Sequence, residues 1–156
     1  MASETATGAQ VGTDTRIEPW QGGVVAGLAG GAVMGVMLTM QMPGVIEGAI
    51  PAMYGLSGGA AGWVMHMVHS AILGVGFAAV AEQFELTSLV RSTGAGLAYG
   101  VVLWAILAVL VMPVWLGAVG FPNAPALPNV NGTSLVGHLA YGFVLGALYP
   151  FVTFER

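Results

Sequence analysis

Four stretches of about twenty residues, each without a charged side chain, decide what this chain can fold into. They are residues 20–42, 60–81, 94–112 and 134–152. A helix rising 1.5 Å per residue needs about twenty residues to cross some 30 Å of hydrocarbon. Lipid offers no partner to a backbone N–H or C=O, so each stretch is expected to be a helix. The expected fold is an all-α membrane protein, a four-transmembrane-helix bundle in one domain over residues 19–156. Residues 1–18 are polar, Thr-rich and acidic, and are expected to be a disordered cytoplasmic tail. They lack the basic n-region of a signal peptide.

Charge makes the same point from the other side. Only 6% of residues are charged and mean hydropathy is +0.85, against about 25% charged in a soluble domain. Three arginines and no lysine exclude a nucleic-acid surface, which needs a basic cluster. No cysteine is present, so disulfides, thiolate metal sites and thiol catalysis are excluded. The absence of lysine beside seven acidic residues fits a host with a high-salt cytoplasm.

Pro19 suits the first turn of the first helix. Pro43 is expected to end that helix, and Pro113 the third. Thr133 or Ser134 is the expected N-cap of the fourth. Arg16, Arg91 and Arg156 fall on one side of a four-span chain. The positive-inside rule puts that side, with both termini, in the cytoplasm of a plasma-membrane protein. Of the two loops then facing out, residues 44–56 carry Ile46, Ile50, Met53 and Tyr54 at helical spacing. A short interfacial helix with Glu47 on its wetter face is expected there. The other contains Pro122, Pro125 and Pro128 and should be extended. Its Asn131-Gly132-Thr133 matches a glycosylation sequon, though Thr133 as a helix start explains it more simply.

The chain reads as a duplication. Residues 27–33 (GLAGGAV) match residues 96–102 (GLAYGVV) at five of seven positions, at an offset of 69. Met42-Pro43 recurs as Met112-Pro113. His66, Ser70, Leu73, Gly74 and Phe77 recur as His138, Gly142, Leu145, Gly146 and Tyr149 at an offset of 72. Repeat one covers about 20–84 and repeat two about 94–153. Each holds two spans, so both insert in the same orientation about an axis along the membrane normal.

Small residues mark the packing faces. Gly23, Gly27, Gly31 and Gly35 form a ridge on the first helix, and Gly96 and Gly100 repeat it on the third. His66, Ser70 and Gly74 share a stripe of the second helix; His138, Gly142 and Gly146 share one of the fourth. In lipid, small residues at this spacing let backbones approach, and packing replaces the missing hydrophobic drive. Both histidines therefore face other helices, the inexpensive place for an ionisable group. His69 lies one turn on from His66, on the same broad face.

Three uses for the histidines remain open. One is structural, a neutral imidazole bonding across helices for about 0.6–2 kcal/mol. A second is a metal or haem: His66 and His138 as cofactor ligands, or His66, His69 and His138 with Met40 and Met42 as imidazole and thioether donors for copper. The third is a pocket for a small molecule such as a quinone, or transport. Hydrolysis is poorly served, since Ser70 points about 100° away from His69 and no carboxylate lies in the spans. The repeated stripe of histidine and small residues points to a non-catalytic accessory or scaffold component whose inward-facing histidines meet near the outer face, with lipid as its main partner, in a homo-oligomer or larger membrane complex.

Three motifs carry a resemblance: Met34-Gly35-Val36-Met37, His66-Met67-Val68-His69-Ser70 and Gly137-His138-Leu139-Ala140-Tyr141-Gly142. On these the chain resembles a family of small, uncharacterised four-span membrane proteins of halophilic archaea. The resemblance implies a membrane location and a halophilic host, and assigns no cofactor or catalytic residue.

Overall fold

The computed structural model describes residues 17–153. The remainder of the expected tail, with Arg16 and Arg156, lies outside the described residues. Among the described residues, four helices are long and apolar enough to cross a membrane, which makes this an integral membrane protein with an all-α four-helix bundle. The first is α1 (Pro19–Gln41), opened by Pro19 in its first turn and a capping box between Glu18 and Gln21. After Pro43 a π-turn (Val45–Ala49) and α2 (Ile50–Ala52) fold back over the bundle end. The second span is α3 (Gly59–Gln83). The third (Leu89–Ala118) joins α4 (Leu89–Leu103), a π-helical stretch (Trp104–Val111) and α5 (Met112–Ala118). The fourth is α6 (Gly132–Thr153). Outward faces carry Val25, Val36, Val64, Ile72, Val102 and Phe143, all exposed. So much bare apolar surface belongs in lipid.

The third span departs most from expectation. It begins at Leu89 rather than 94, because Ser88 caps it by accepting from the Arg91 N–H at 3.4 Å. Arg91 therefore sits in the first helical turn, donating to the Phe84 carbonyl at 3.2 Å. Pro113 does not end the span. It lacks the N–H that would meet the Val109 carbonyl, and the helix passes through it by widening to π geometry. The freed Val109 carbonyl accepts from the Asn129 backbone N–H at 3.0 Å. Pro51 works in the same way: the Glu47 carbonyl four residues back accepts instead from the Gly58 N–H at 2.9 Å. Each proline thus opens a docking point for a loop. Pro113→Ala should return Val109 its helical partner and strand Asn129, at about 1 kcal/mol. The Asn129 amide is then expected to exchange about fivefold faster, as read by hydrogen exchange.

Two smaller corrections follow. The fourth helix is capped by Asn131, whose side-chain oxygen accepts from the Ser134 N–H at 2.9 Å, and not by Thr133 or Ser134. Residues 45–52 do not lie loosely at an interface, because Ile46, Ala49, Ile50 and Pro51 are buried in the bundle while Glu47 stays exposed. Gly62 accommodates this, since a Cβ there would collide with the Ile46 carbonyl.

Glycine contacts hold two helix pairs together at matching positions. α1 packs along α3: a Cβ on Gly27 would strike the Ser70 carbonyl and Gly74, and one on Gly74 would strike the Gly23 carbonyl. α4 packs along α6 likewise: Gly96 faces the Gly142 carbonyl and Gly146, and Gly146 faces the Ser92 carbonyl. Gly31 takes the Ser70 side chain, and Gly100 the His138 backbone. The remaining contacts are unequal. α1 and α6 pack closely, with Gly30 against the Tyr141 ring and Gly22 against Thr153, whereas α3 and α4 barely touch.

Candidate functional site

That inequality has a residue behind it. In the aligned segments Gly30 corresponds to Tyr99. At Gly30 a Cβ would lie 2.8 Å from the Tyr141 backbone oxygen, so the absent side chain is what lets α6 close on α1. At the corresponding place Tyr99 stands between α4 and α3. Its hydroxyl donates to the Leu73 carbonyl at 2.9 Å, and its ring meets Phe77 at a centroid distance of 5.6 Å. The phenol occupies the space between the two helices.

Between the Tyr99 wedge and the loops lies a cavity of about 900 Å³, within the usual size for small-ligand sites. Leu73, Ser70 and Tyr141 line its deep end, with the Tyr141 hydroxyl donating to the Ser70 carbonyl at 2.8 Å. Leu73 lies fourteen residues into α3, about 21 Å from Gly59 at the helical rise. The cavity therefore reaches from the loops to mid-bundle. Met34, Leu38, Leu103, Leu107 and Met112 line its sides; Phe121, Asn123, Asn129 and Asn131 line it from the loop.

All three histidines line this one space. His66 is buried, and its Nε2–H donates across to the Gly31 carbonyl of α1 at 2.9 Å. Gly35 leaves room beside it for Trp63, whose ring stands edge-on to His66 at 6.3 Å and whose N–H donates to Thr39 Oγ1 at 3.2 Å. His138 is half-buried, and its Nδ1–H donates to the Ser134 carbonyl at 2.8 Å. A carbonyl only accepts, so each bond fixes which nitrogen carries the proton. A neutral ring then offers its other nitrogen, His66 Nδ1 or His138 Nε2, as an acceptor. His69 Nε2 is hydrogen-bonded to the Tyr54 hydroxyl. The Tyr54 ring packs between His69 and Trp115, both at 5.6 Å, and Trp115 Nε1–H donates to the Met53 carbonyl at 3.0 Å. This bridge ties the folded-back segment to α3 and α5.

Of the expected donors, Met42 lines the cavity and Met40 is 77% exposed, apart from it. Met112 also lines it. Among the described residues, no group of three His, Cys, Asp or Glu side chains is arranged to hold a metal ion. The helix-packing residues Gly23, Gly27, Gly31, Gly35, Ser70, Gly74, Gly96, Gly100, Gly142 and Gly146 are all buried at helix contacts. Sequence reasoning missed Tyr54, Tyr99, Trp115 and Tyr141. The last had a signal, since Tyr141 falls opposite His69 at the offset of 72. No known family, curated protein or solved structure matches the chain.

Proposed function

We propose that this integral membrane protein is a non-catalytic accessory component that holds a small, lipid-soluble molecule in the cavity beside His66 and His138. One observation carries the reading: a ligand-sized space with mainly apolar walls and two imidazoles, each oriented by a backbone carbonyl. A merely structural histidine needs no such space beside it. The Ser70 hydroxyl donates to the His66 carbonyl at 2.8 Å, which speaks against a nucleophile. In this reading the bundle descends from a duplicated hairpin, the arginines orient both termini to the cytoplasm, and the host is a halophilic archaeon.

A haem or copper site is the second reading. Its support is that metal-binding imidazoles commonly give their second N–H to a backbone carbonyl, as His66 and His138 do. Met42 beside them suits copper. Among the described residues, the cavity lining includes no Arg or Lys to meet haem propionates.

Protein purified gently from its membranes, then extracted and analysed by mass spectrometry, is expected to release one enriched lipid-soluble species in near-stoichiometric amount. A Soret band, or copper at one equivalent, would favour the second reading instead. Neither species nor metal, with none taken up on addition, would sink both.

A further inference from the structure

The cavity lining reaches the apolar outer surface between α3 and the third span, at named residues. The Tyr54 bridge from His69 to Trp115 closes the gap between α3 and the third span near the loops. Tyr99 on Leu73 closes it at mid-bundle. Between them Ile72 and Val111 line the cavity while remaining exposed on the apolar outer surface, 62% and 39%. A window edged by such residues admits a molecule from lipid.

At the His66 and His138 rings the cavity is polar in one sense only. The protons of His66 Nε2 and His138 Nδ1 are committed to carbonyls, so the neutral rings turn acceptors to an occupant. A ligand carbonyl would find no N–H on either ring, and would face lone pairs. A ligand hydroxyl would find a partner. Tyr54, Trp115 and Phe121 on the lining suit a flat ring.

Building on the ligand-binding reading, we propose that the cavity selects lipid-soluble hydroxyl donors of the hydroquinone class over the corresponding quinones. The ring enters through the window between α3 and the third span, its hydroxyl donates to His138 Nε2 or His66 Nδ1, and its tail trails past Ile72 and Val111 into the bilayer.

The test uses the full chain in phosphatidylcholine nanodiscs under anaerobic conditions. Duroquinol, duroquinone and the dimethyl ether of duroquinol are titrated separately, with affinity from calorimetry and ring-nitrogen shifts of the histidines from NMR. Duroquinol is expected to bind at least about tenfold more tightly than the other two, because a site built for hydroxyls penalises analogues lacking them. It should also shift His138 Nε2 or His66 Nδ1. Where the shift falls on His138 Nε2, His138→Phe should abolish the preference while leaving the fold intact, since the His138 bond stays within its own helix. His66→Ala, which loses a bond between helices, serves only as a second variant. Equal or tighter binding of duroquinone would overturn the donor selectivity while leaving a ligand-binding cavity. Binding of none of the three would overturn this inference, and an empty extract as well would remove the reading beneath it.

Discussion

Gly74→Leu and Gly142→Leu are each expected to abolish assembly of the bundle, while Gly94→Leu leaves it unchanged. Gly74 and Gly142 lie on the two different helix pairs, each with its missing Cβ pressed against a backbone carbonyl of the facing helix, Gly23 or Gly96. A single added methyl already costs about 1–3 kcal/mol where backbone cannot yield. A leucine would force α3 off α1, or α6 off α4, by a full side chain. Water supplies no compensating drive within lipid, so the lost packing is lost outright. Gly94 has nothing within 4 Å of its Cβ position, and a leucine there only faces outward. Unfolding in mixed micelles, followed by circular dichroism and tryptophan emission, gives the ranking. Equal losses at Gly94 and Gly74 would show that backbone contact is not what holds the pairs together.

That prediction is legible in the sequence, because spacing alone places the small residues on shared faces. Three of the four spans were legible too, to within about two residues, since each is bounded by a polar or interfacial residue. The third was not. A rule that stops a helix at proline fails at Pro113, where the chain has already widened to π geometry and a loop amide satisfies the stranded carbonyl. Such compensation depends on Asn129, sixteen residues on, and no local pattern announces it. The histidines were legible as inward-facing, but their tautomers were not. Those rest on whether a carbonyl of Gly31 or Ser134 sits opposite a particular ring atom. Met40 shows the opposite failure: proximity in sequence to Met42 did not bring it to the cavity, because Met40 is still on the helix, facing outward, while Met42 lies just past its end.

The most informative position lay in plain view as a mismatch. Two of seven residues differ between the aligned segments, and one pair is Gly30 and Tyr99. A bundle with glycine at both places would be expected to close α3 on α4 as α6 closes on α1, leaving no cavity. Tyr99→Gly should therefore collapse the site. A fully buried ring costs about 3–5 kcal/mol to remove, and Tyr99, half-buried, should cost less. The geometric change should be large. Spin labels at Val75 and Ala98, both exposed near the wedge, should move closer, and binding in the cavity should disappear. Tyr99→Phe separates the two roles of the phenol. It drops only the bond to the Leu73 carbonyl, at about 0.5–1.5 kcal/mol, and keeps the ring between the helices. Its label distance and its binding should stay near those of the unmodified chain. An unchanged distance in Tyr99→Gly would mean that the folded-back segment and the Tyr54 bridge hold α3 and α4 apart without help, and the wedge would lose its role.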